Sequence, residues 1–107
     1  AIDMAALGDG QNSTEYHCSV CVKDGGGPYH HDMNNKLIRL AREHEIVIKT
    51  DIYPFYSSDG TAYWRSGGDA KVGLIGPGVE SSHAYERSHT DSVRDTIALL
   101  THYLSSE

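Results

Sequence analysis

Side chains that can bind a divalent metal or move a proton are concentrated in three polar loops of this sequence. The first loop, after a short apolar run, carries Asp3 and Asp9, and the second carries Ser58 and Asp59. The third carries four such residues: Glu80, His83, Glu86 and His89. Zinc and cobalt accept imidazole nitrogen and carboxylate oxygen, so the pattern allows metal-assisted hydrolysis. Seven histidines and fifteen acids in 107 residues also bring such groups together by chance, so an ordinary structural role stays open.

The elements that must position these loops alternate between strand and helix. Runs of β-branched and apolar residues predict strands, and apolar residues three and four apart predict helices. The predicted strands are 1–7, 15–23, 46–53 and 70–75, and the predicted helices are 32–44, 61–65 and 90–104. This order predicts an α/β fold, with helices packed on a mixed sheet. A length of 107 residues suits one small domain or a piece of a larger one.

Local signals predict where these elements end and which faces they bury. Asp32 is the predicted N-cap of the first helix, and Ser88 or Thr90 that of the last. Gly76-Pro77-Gly78 is expected to end the fourth strand. The predicted buried faces are Tyr16, Cys18, Val20 and Val22 in the second strand, Met33, Leu37, Leu40, Ala41 and His44 in the first helix, and Val93, Ile97, Leu100 and Leu104 in the last.

Composition argues against several functional classes. A net charge of -6 and a pI of about 5.5 argue against binding to nucleic acid or an anionic membrane. No run of roughly 18 apolar residues predicts a membrane span. The first residues resemble neither a signal peptide nor a gene start, which hints at truncation. The sequence contains neither a phosphate-binding Gly-Lys-Ser/Thr loop nor a G-x-S-x-G nucleophile turn.

Cys18 and Cys21 form a C-x-x-C motif within a predicted strand. Residues three apart in a strand face opposite sides, so the two thiols should diverge rather than share a metal or a disulfide. We therefore expect two reduced cysteines in a cytoplasmic protein.

The third loop resembles a motif of a known peptidase family. The segment 76–86, Gly-Pro-Gly-Val-Glu-Ser-Ser-His-Ala-Tyr-Glu, is similar to the C-terminal motif of the M42 metallopeptidases, where a loop presents a ligand histidine. Asp3 in an apolar strand, with Asp9 following it, resembles the ligand aspartate and later acid of that family. Gly26-Gly27-Pro28 and Ser58-Asp59-Gly60 resemble its Gly-Pro segment and Thr-Asp-Ala turn. The likeness covers nearly the whole chain in order.

The resemblance implies a two-metal aminopeptidase that removes N-terminal residues from peptides. By this likeness, Asp3 would bind one metal ion and His83 the other, each zinc or cobalt. The bridging aspartate and the glutamate base have no counterpart here, so residues 1–107 would be the C-terminal portion of the catalytic domain. The remaining part and the dimerisation domain would lie upstream, and homo-oligomers would form through those regions. The isolated chain is expected to be inactive.

Four further residues are candidates for secondary roles in such a site. Asp9 could orient a ligand or cap its loop, and Asp59 could shape the site or cap the short helix. Tyr85 could line the pocket, while Glu86 could form a local hydrogen bond close to His83.

The loop departs from the family's usual pattern, which has Tyr before the histidine and Ser-Pro after it. This departure leaves open which substrate side chain is preferred. The alternatives are a non-catalytic peptide-binding or scaffold relative and a carbohydrate-active hydrolase.

Overall fold

The computed structural model describes residues 1–106 as eight short elements. The strands are β1 (Ala5–Ala6), β2 (Cys18–Asp24), β3 (Gly27–Pro28), β4 (Ile48–Tyr53) and β5 (Leu74–Val79). The helices are α1 (His31–Glu43), α2 (Asp59–Arg65) and α3 (Thr90–Ser105). No helix within these residues is both long and apolar enough to cross a bilayer.

The five strands form one mixed sheet around β2. β5 pairs antiparallel with β2 and parallel with β1, whereas β4 runs parallel to β2 on its other side. β3 pairs with the last two residues of β2. The predicted α/β fold with a mixed sheet is therefore confirmed. The two-residue strand β3 was not predicted, because a Gly-Gly-Pro sequence is typical of a turn.

Each face of the sheet buries its own apolar cluster. On one face, Cys18 and Val20 pack with residues of α1 and α3, including Leu37 and Leu99. On the other face, Cys21 packs with a different set of buried side chains: Ala5, Ala6, Tyr29, Tyr53, Val72 and Leu74. The two free cysteines thus lie on opposite faces, as their spacing predicts.

The fourth predicted strand is displaced along the chain. β5 begins at Leu74 and continues to Val79, so Gly76-Pro77-Gly78 lies inside the strand and does not end it. Both glycines are required there, because a Cβ on Gly76 would overlap the Asp3 carbonyl and one on Gly78 would overlap the Thr14 carbonyl. Close approach of neighbouring backbone selects glycine at these positions, although the same residues usually mark a turn.

The predicted buried face of β2 is only half correct. Cys18 and Val20 are fully buried, but Tyr16 precedes the strand and is 51% exposed, and Val22 is 38% exposed. A register shift between Cys21 and Lys23 interrupts the pairing with β4. Such a bulge turns the following residues relative to the sheet, so simple alternation fails after Cys21.

In α1 the predicted apolar face is buried at Leu37, Leu40 and Ala41, with Met33 packed partly against it. His44 departs from the prediction, because it is exposed at the C-cap. Its ring stacks on that of His102 in α3, with the ring centroids 3.5 Å apart and the planes 7° apart.

The predicted buried face of α3 is wrong. Val93, Ile97 and Leu104 are 44%, 61% and 72% exposed, and Leu100 is partly buried. The buried residues are instead Ser92, Thr96 and Leu99. Ser92 Oγ donates to the His89 carbonyl at 2.8 Å, and Thr96 Oγ1 to the Ser92 carbonyl at 2.7 Å. Small hydroxyl residues satisfied within the helix can face the core and let α3 approach the sheet closely.

The predicted N-caps of α1 and α3 are also wrong. His30 caps α1, accepting from Met33 N through Nδ1 at 3.4 Å, while Asp32 lies within the first turn. His89 caps α3, accepting from Asp91 N through Nδ1 at 3.0 Å. An imidazole with an unprotonated Nδ1 serves as the acceptor that Ser, Thr or Asp more often provides.

Candidate metal centre

Asp3 and His83, far apart in sequence, line the same cleft. The cleft contains ≈ 410 Å³ of space, counting its open mouth. The remaining lining residues come from the segment around Asp3, the end of β2, the β4–α2 connection, the start of β5 and the His83 loop: Met4, Ala6, Asp24, Tyr53, Tyr56, Ser57, Ser58, Leu74 and Ser82.

Asp3 is positioned by the backbone of β5. The Asp3 amide donates to the Ile75 carbonyl at 3.1 Å, and its own carbonyl lies directly against Gly76. The exposed carboxylate accepts one hydrogen bond, from Met4 N to Oδ1 at 2.7 Å. A carboxylate with its backbone fixed and lone pairs remaining can bind a hard or borderline metal ion.

His83 lies on a loop, 81–86, that follows β5. Ser82 Oγ, next to His83, lies 3.8 Å from Met4 Sδ, next to Asp3, so the segments that carry the two candidate ligands touch. The His83 backbone has a φ of 68°, in the left-handed region that few non-glycine residues adopt. Residues in such conformations collect at functional sites, where surrounding structure holds them.

One wall of the cleft contains a buried carboxylate that the sequence did not reveal. Asp24, at the end of β2, is 1% exposed; it accepts from Gly26 N at 2.7 Å and from the Tyr29 hydroxyl. The Tyr29 hydroxyl also lies 2.6 Å from Ser58 Oγ. Burial, reinforced by the bond to Asp24, raises the pKa of Tyr29 above its usual value. Tyr29 therefore stays protonated and remains a donor.

The end of β4 supports the cleft from the adjoining side. Tyr53 pairs with Asp24 in the parallel register and is 4% exposed. Its hydroxyl contacts Ser13 Oγ, which also donates to Asp51 at 2.7 Å. Burial raises the pKa of Tyr53, so this hydroxyl too stays protonated. Long-range strand pairing brings Ser13, Asp51 and Tyr53 together. In the sequence, the indication of this cluster was limited to polar residues at the ends of the predicted strands.

The four secondary candidates lie outside the lining of the cleft. Asp9 and Asp59 are exposed, and Ser58, not Asp59, caps α2 by accepting from Gly60 N at 3.1 Å. Tyr85 is 97% exposed. Glu86 contacts His83 directly, since its Oε1 accepts from His83 N at 3.0 Å.

The family model described as M42 glutamyl aminopeptidase matches residues 1–99. The chain belongs to the M42 peptidase family. A Bacillus subtilis (strain 168) protein named "Putative aminopeptidase YhfE" is 52% identical over 106 residues, covering 99% of this chain. Those residues are 31% of that relative, so the chain spans about a third of the M42 protein it matches.

Solved structures share the fold of this M42 chain at much lower identity. The PhTET1 dodecamer matches with a TM-score of 0.85 and 16% identity, over 96% of this chain and 32% of that one. Aminopeptidase APDkam598 from the archaeon Desulfurococcus kamchatkensis matches with a TM-score of 0.79 and 14% identity, over 99% and 33%. The expected fold is therefore correct across nearly the entire M42 segment.

The donor chemistry of the cleft is compatible with a divalent ion. Asp3 offers carboxylate oxygen and His83 offers imidazole nitrogen, a donor pair that suits zinc and related metals. Residues 1–106 contain no cluster of three or more His, Cys, Asp or Glu side chains able to hold a metal. Since zinc usually takes three or four protein ligands, an ion held in this cleft would need ligands besides these two.

Proposed function

We propose that this chain forms part of the active site of a metal-dependent aminopeptidase. The observation that carries the proposal is that Asp3 and His83 line one cleft. Membership of the M42 family supports peptide hydrolysis as the reaction. The 52% identity to a protein named as an aminopeptidase supports removal of N-terminal residues.

In this proposal Asp3 and His83 each hold one of two divalent ions, zinc or cobalt. Such ions supply Lewis-acid chemistry for peptide hydrolysis. The buried side chains of Asp24 and Ser58, both hydrogen-bonded to the Tyr29 hydroxyl, would support the wall of the cleft behind the bound peptide. The bridging carboxylate and the general base would come from residues outside this sequence, so residues 1–107 would be the C-terminal portion of a catalytic domain.

Isolated residues 1–107 should not hydrolyse peptides and should bind zinc only weakly. Two ligands on separate ions provide little affinity, because metal binding strengthens steeply with the number of ligands. A homo-oligomer formed through other regions is part of the proposal, supported by the dodecamer described for the structural relative PhTET1.

The test is release of free amino acids from a panel of short peptides by the complete protein, with and without a chelator. Asp3→Ala and His83→Ala are compared with two matched controls, Asp69→Ala and His31→Ala. Both controls remove an exposed side chain of the same type away from the cleft. Loss of a metal ligand should lower kcat/KM by at least about 100-fold, while the controls stay near wild type.

Release that disappears with the chelator and in both ligand variants supports the proposal. No release from any peptide in zinc, cobalt or manganese would contradict it and favour a peptide-binding relative. Unchanged activity in His83→Ala, with activity still sensitive to the chelator, would remove His83 from the metal centre.

A further inference from the structure

The loop that carries His83 is closed at its base by its own backbone. Glu80 N donates to the Arg87 carbonyl at 2.8 Å, and Arg87 N donates to the Glu80 carbonyl at 3.1 Å. Six residues, 81–86, lie between this pair. Because Glu80 directly follows β5, the ends of the loop are fixed relative to the sheet.

Inside the loop, two non-glycine residues have left-handed backbone. Ser81 has a φ of 57° and His83 a φ of 68°. L-residues disfavour this conformation and keep it only where other contacts impose it. Ala84 N donates to the Ser81 carbonyl at 2.9 Å, which stabilises the turn around Ser81. A second contact is needed to hold His83 itself.

The Glu86 carboxylate provides that contact. Its Oε1 accepts from the His83 amide at 3.0 Å, a charge-assisted bond that uses the backbone and leaves the imidazole available to a metal. We propose that Glu86 is the positioning residue that fixes the His83 backbone, so that the imidazole is preset toward the cleft shared with Asp3. The inference rests on the proposed ligand role of His83.

The nearby ion pairs are a weaker alternative for this role. Arg87 contacts Glu15 at 2.9 Å and Glu80 at 3.3 Å, and these bonds attach the base of the loop to the segment before β2. The Arg87 side chain is 66% exposed, however, and solvent-exposed ion pairs add little to stability. They also act on the base of the loop and not on the His83 backbone. Glu86 is therefore the residue whose removal should release His83.

The test compares three variants of the complete protein: Glu86→Ala, Glu86→Gln and Glu86→Asp. The glutamine variant keeps an Oε1 that can accept from His83 N. The aspartate variant keeps the charge but is one methylene too short to reach that amide. Glu43→Ala is the matched control, since Glu43 is an exposed carboxylate at the end of α1, paired with Arg39 at 3.7 Å. Zinc affinity is measured by competition with a chromophoric chelator, alongside thermal melting and peptide release.

Zinc affinity should fall by about 10-fold or more in Glu86→Ala and Glu86→Asp, as for other residues that orient metal ligands. Glu86→Gln and Glu43→Ala should stay within about twofold of wild type, and all four should melt near the wild-type temperature. Equal losses in the alanine and glutamine variants, or an aspartate variant like wild type, would overturn the positioning role. A wild-type protein that binds no zinc would defeat the proposed function itself, whereas tight binding in every variant would defeat only this inference.

Discussion

The backbone of Gly76 lies directly against the Asp3 carbonyl, so closely that a Cβ atom at position 76 would overlap the Asp3 oxygen. This contact lets the segment that carries Asp3 run beside β5, where Asp3 N donates to the Ile75 carbonyl. A glycine in the middle of a strand thus sets the position of a candidate metal ligand.

Gly76→Ala should therefore displace Asp3 and destabilise the fold. Backbone atoms cannot move aside as a flexible side chain can, so we expect a loss of about 3 kcal/mol in the free energy of unfolding. Urea denaturation measures it. Gly67→Ala is the comparison, because a Cβ on Gly67 would meet open space, and its left-handed φ of 92° alone should cost only about 1–2 kcal/mol. Equal costs would show that the segment carrying Asp3 can move away from β5 without penalty.

Asp51 should make stability depend on pH at the acidic end. Burial alone would raise its pKa, but hydrogen bonds from Ser13, Ile52 and Asn12 outweigh burial and lower the pKa. A lowered folded-state pKa adds stability above the unfolded value of about 3.9, and this stability is lost as pH falls through the folded value. Asp51→Asn should cost about 2 kcal/mol near pH 7.

That cost should shrink below about pH 4, as wild-type Asp51 becomes protonated and resembles the amide. Urea denaturation at both pH values gives the comparison. Asp69→Asn, on an exposed loop residue, should stay within about 0.5 kcal/mol at either pH. A cost for Asp51→Asn that is constant with pH would mean that the Asp51 charge adds no stability.

Cys18 and Cys21 should both resist alkylation in the native protein. They are 0% and 2% exposed. Burial raises the pKa of Cys18, and burial together with the charge of Asp24 raises the pKa of Cys21 to about 12. The thiolate is the reactive form, so neither should react with iodoacetamide near neutral pH until the protein is unfolded. Peptide mass spectrometry before and after denaturation reports each cysteine, and native labelling of Cys21 would contradict its place in the core.

The order of elements could be predicted from the sequence because each pattern is local. Alternation predicts β2 only as far as Cys21, and helical spacing predicts the buried face of α1 as far as Ala41. The divergence of Cys18 from Cys21 also follows from the sequence. The limits of β5 could not be predicted, since Gly76 and Gly78 are selected by backbone from distant segments. Long-range contacts overrule a turn signal there.

The candidate site likewise contains residues that the sequence indicated and residues that only long-range contacts reveal. Asp3 and His83 became candidates through resemblance to a family, because histidines and acids are too common here for spacing alone to select them. Asp24 was not predicted, and Ser58 was named only as part of a polar loop, since their contact depends on Tyr29 and on the parallel pairing of β2 with β4. A glycine-rich turn after an acid gives no local sign that the carboxylate is buried.

The orientation of α3 can be tested by comparing one buried and one exposed apolar residue. Leu99 is 0% exposed and packs with Cys18 and Val20, so Leu99→Ala should leave a cavity and cost about 2–5 kcal/mol. Ile97 is 61% exposed, so Ile97→Ala should cost about 0.5 kcal/mol or less. Urea denaturation of isolated residues 1–107 and of the complete protein gives both values. A large cost for Ile97→Ala in the isolated chain would mean that the face of Val93, Ile97, Leu100 and Leu104 is buried after all. A large cost found only in the complete protein would mean that another segment covers Ile97 there.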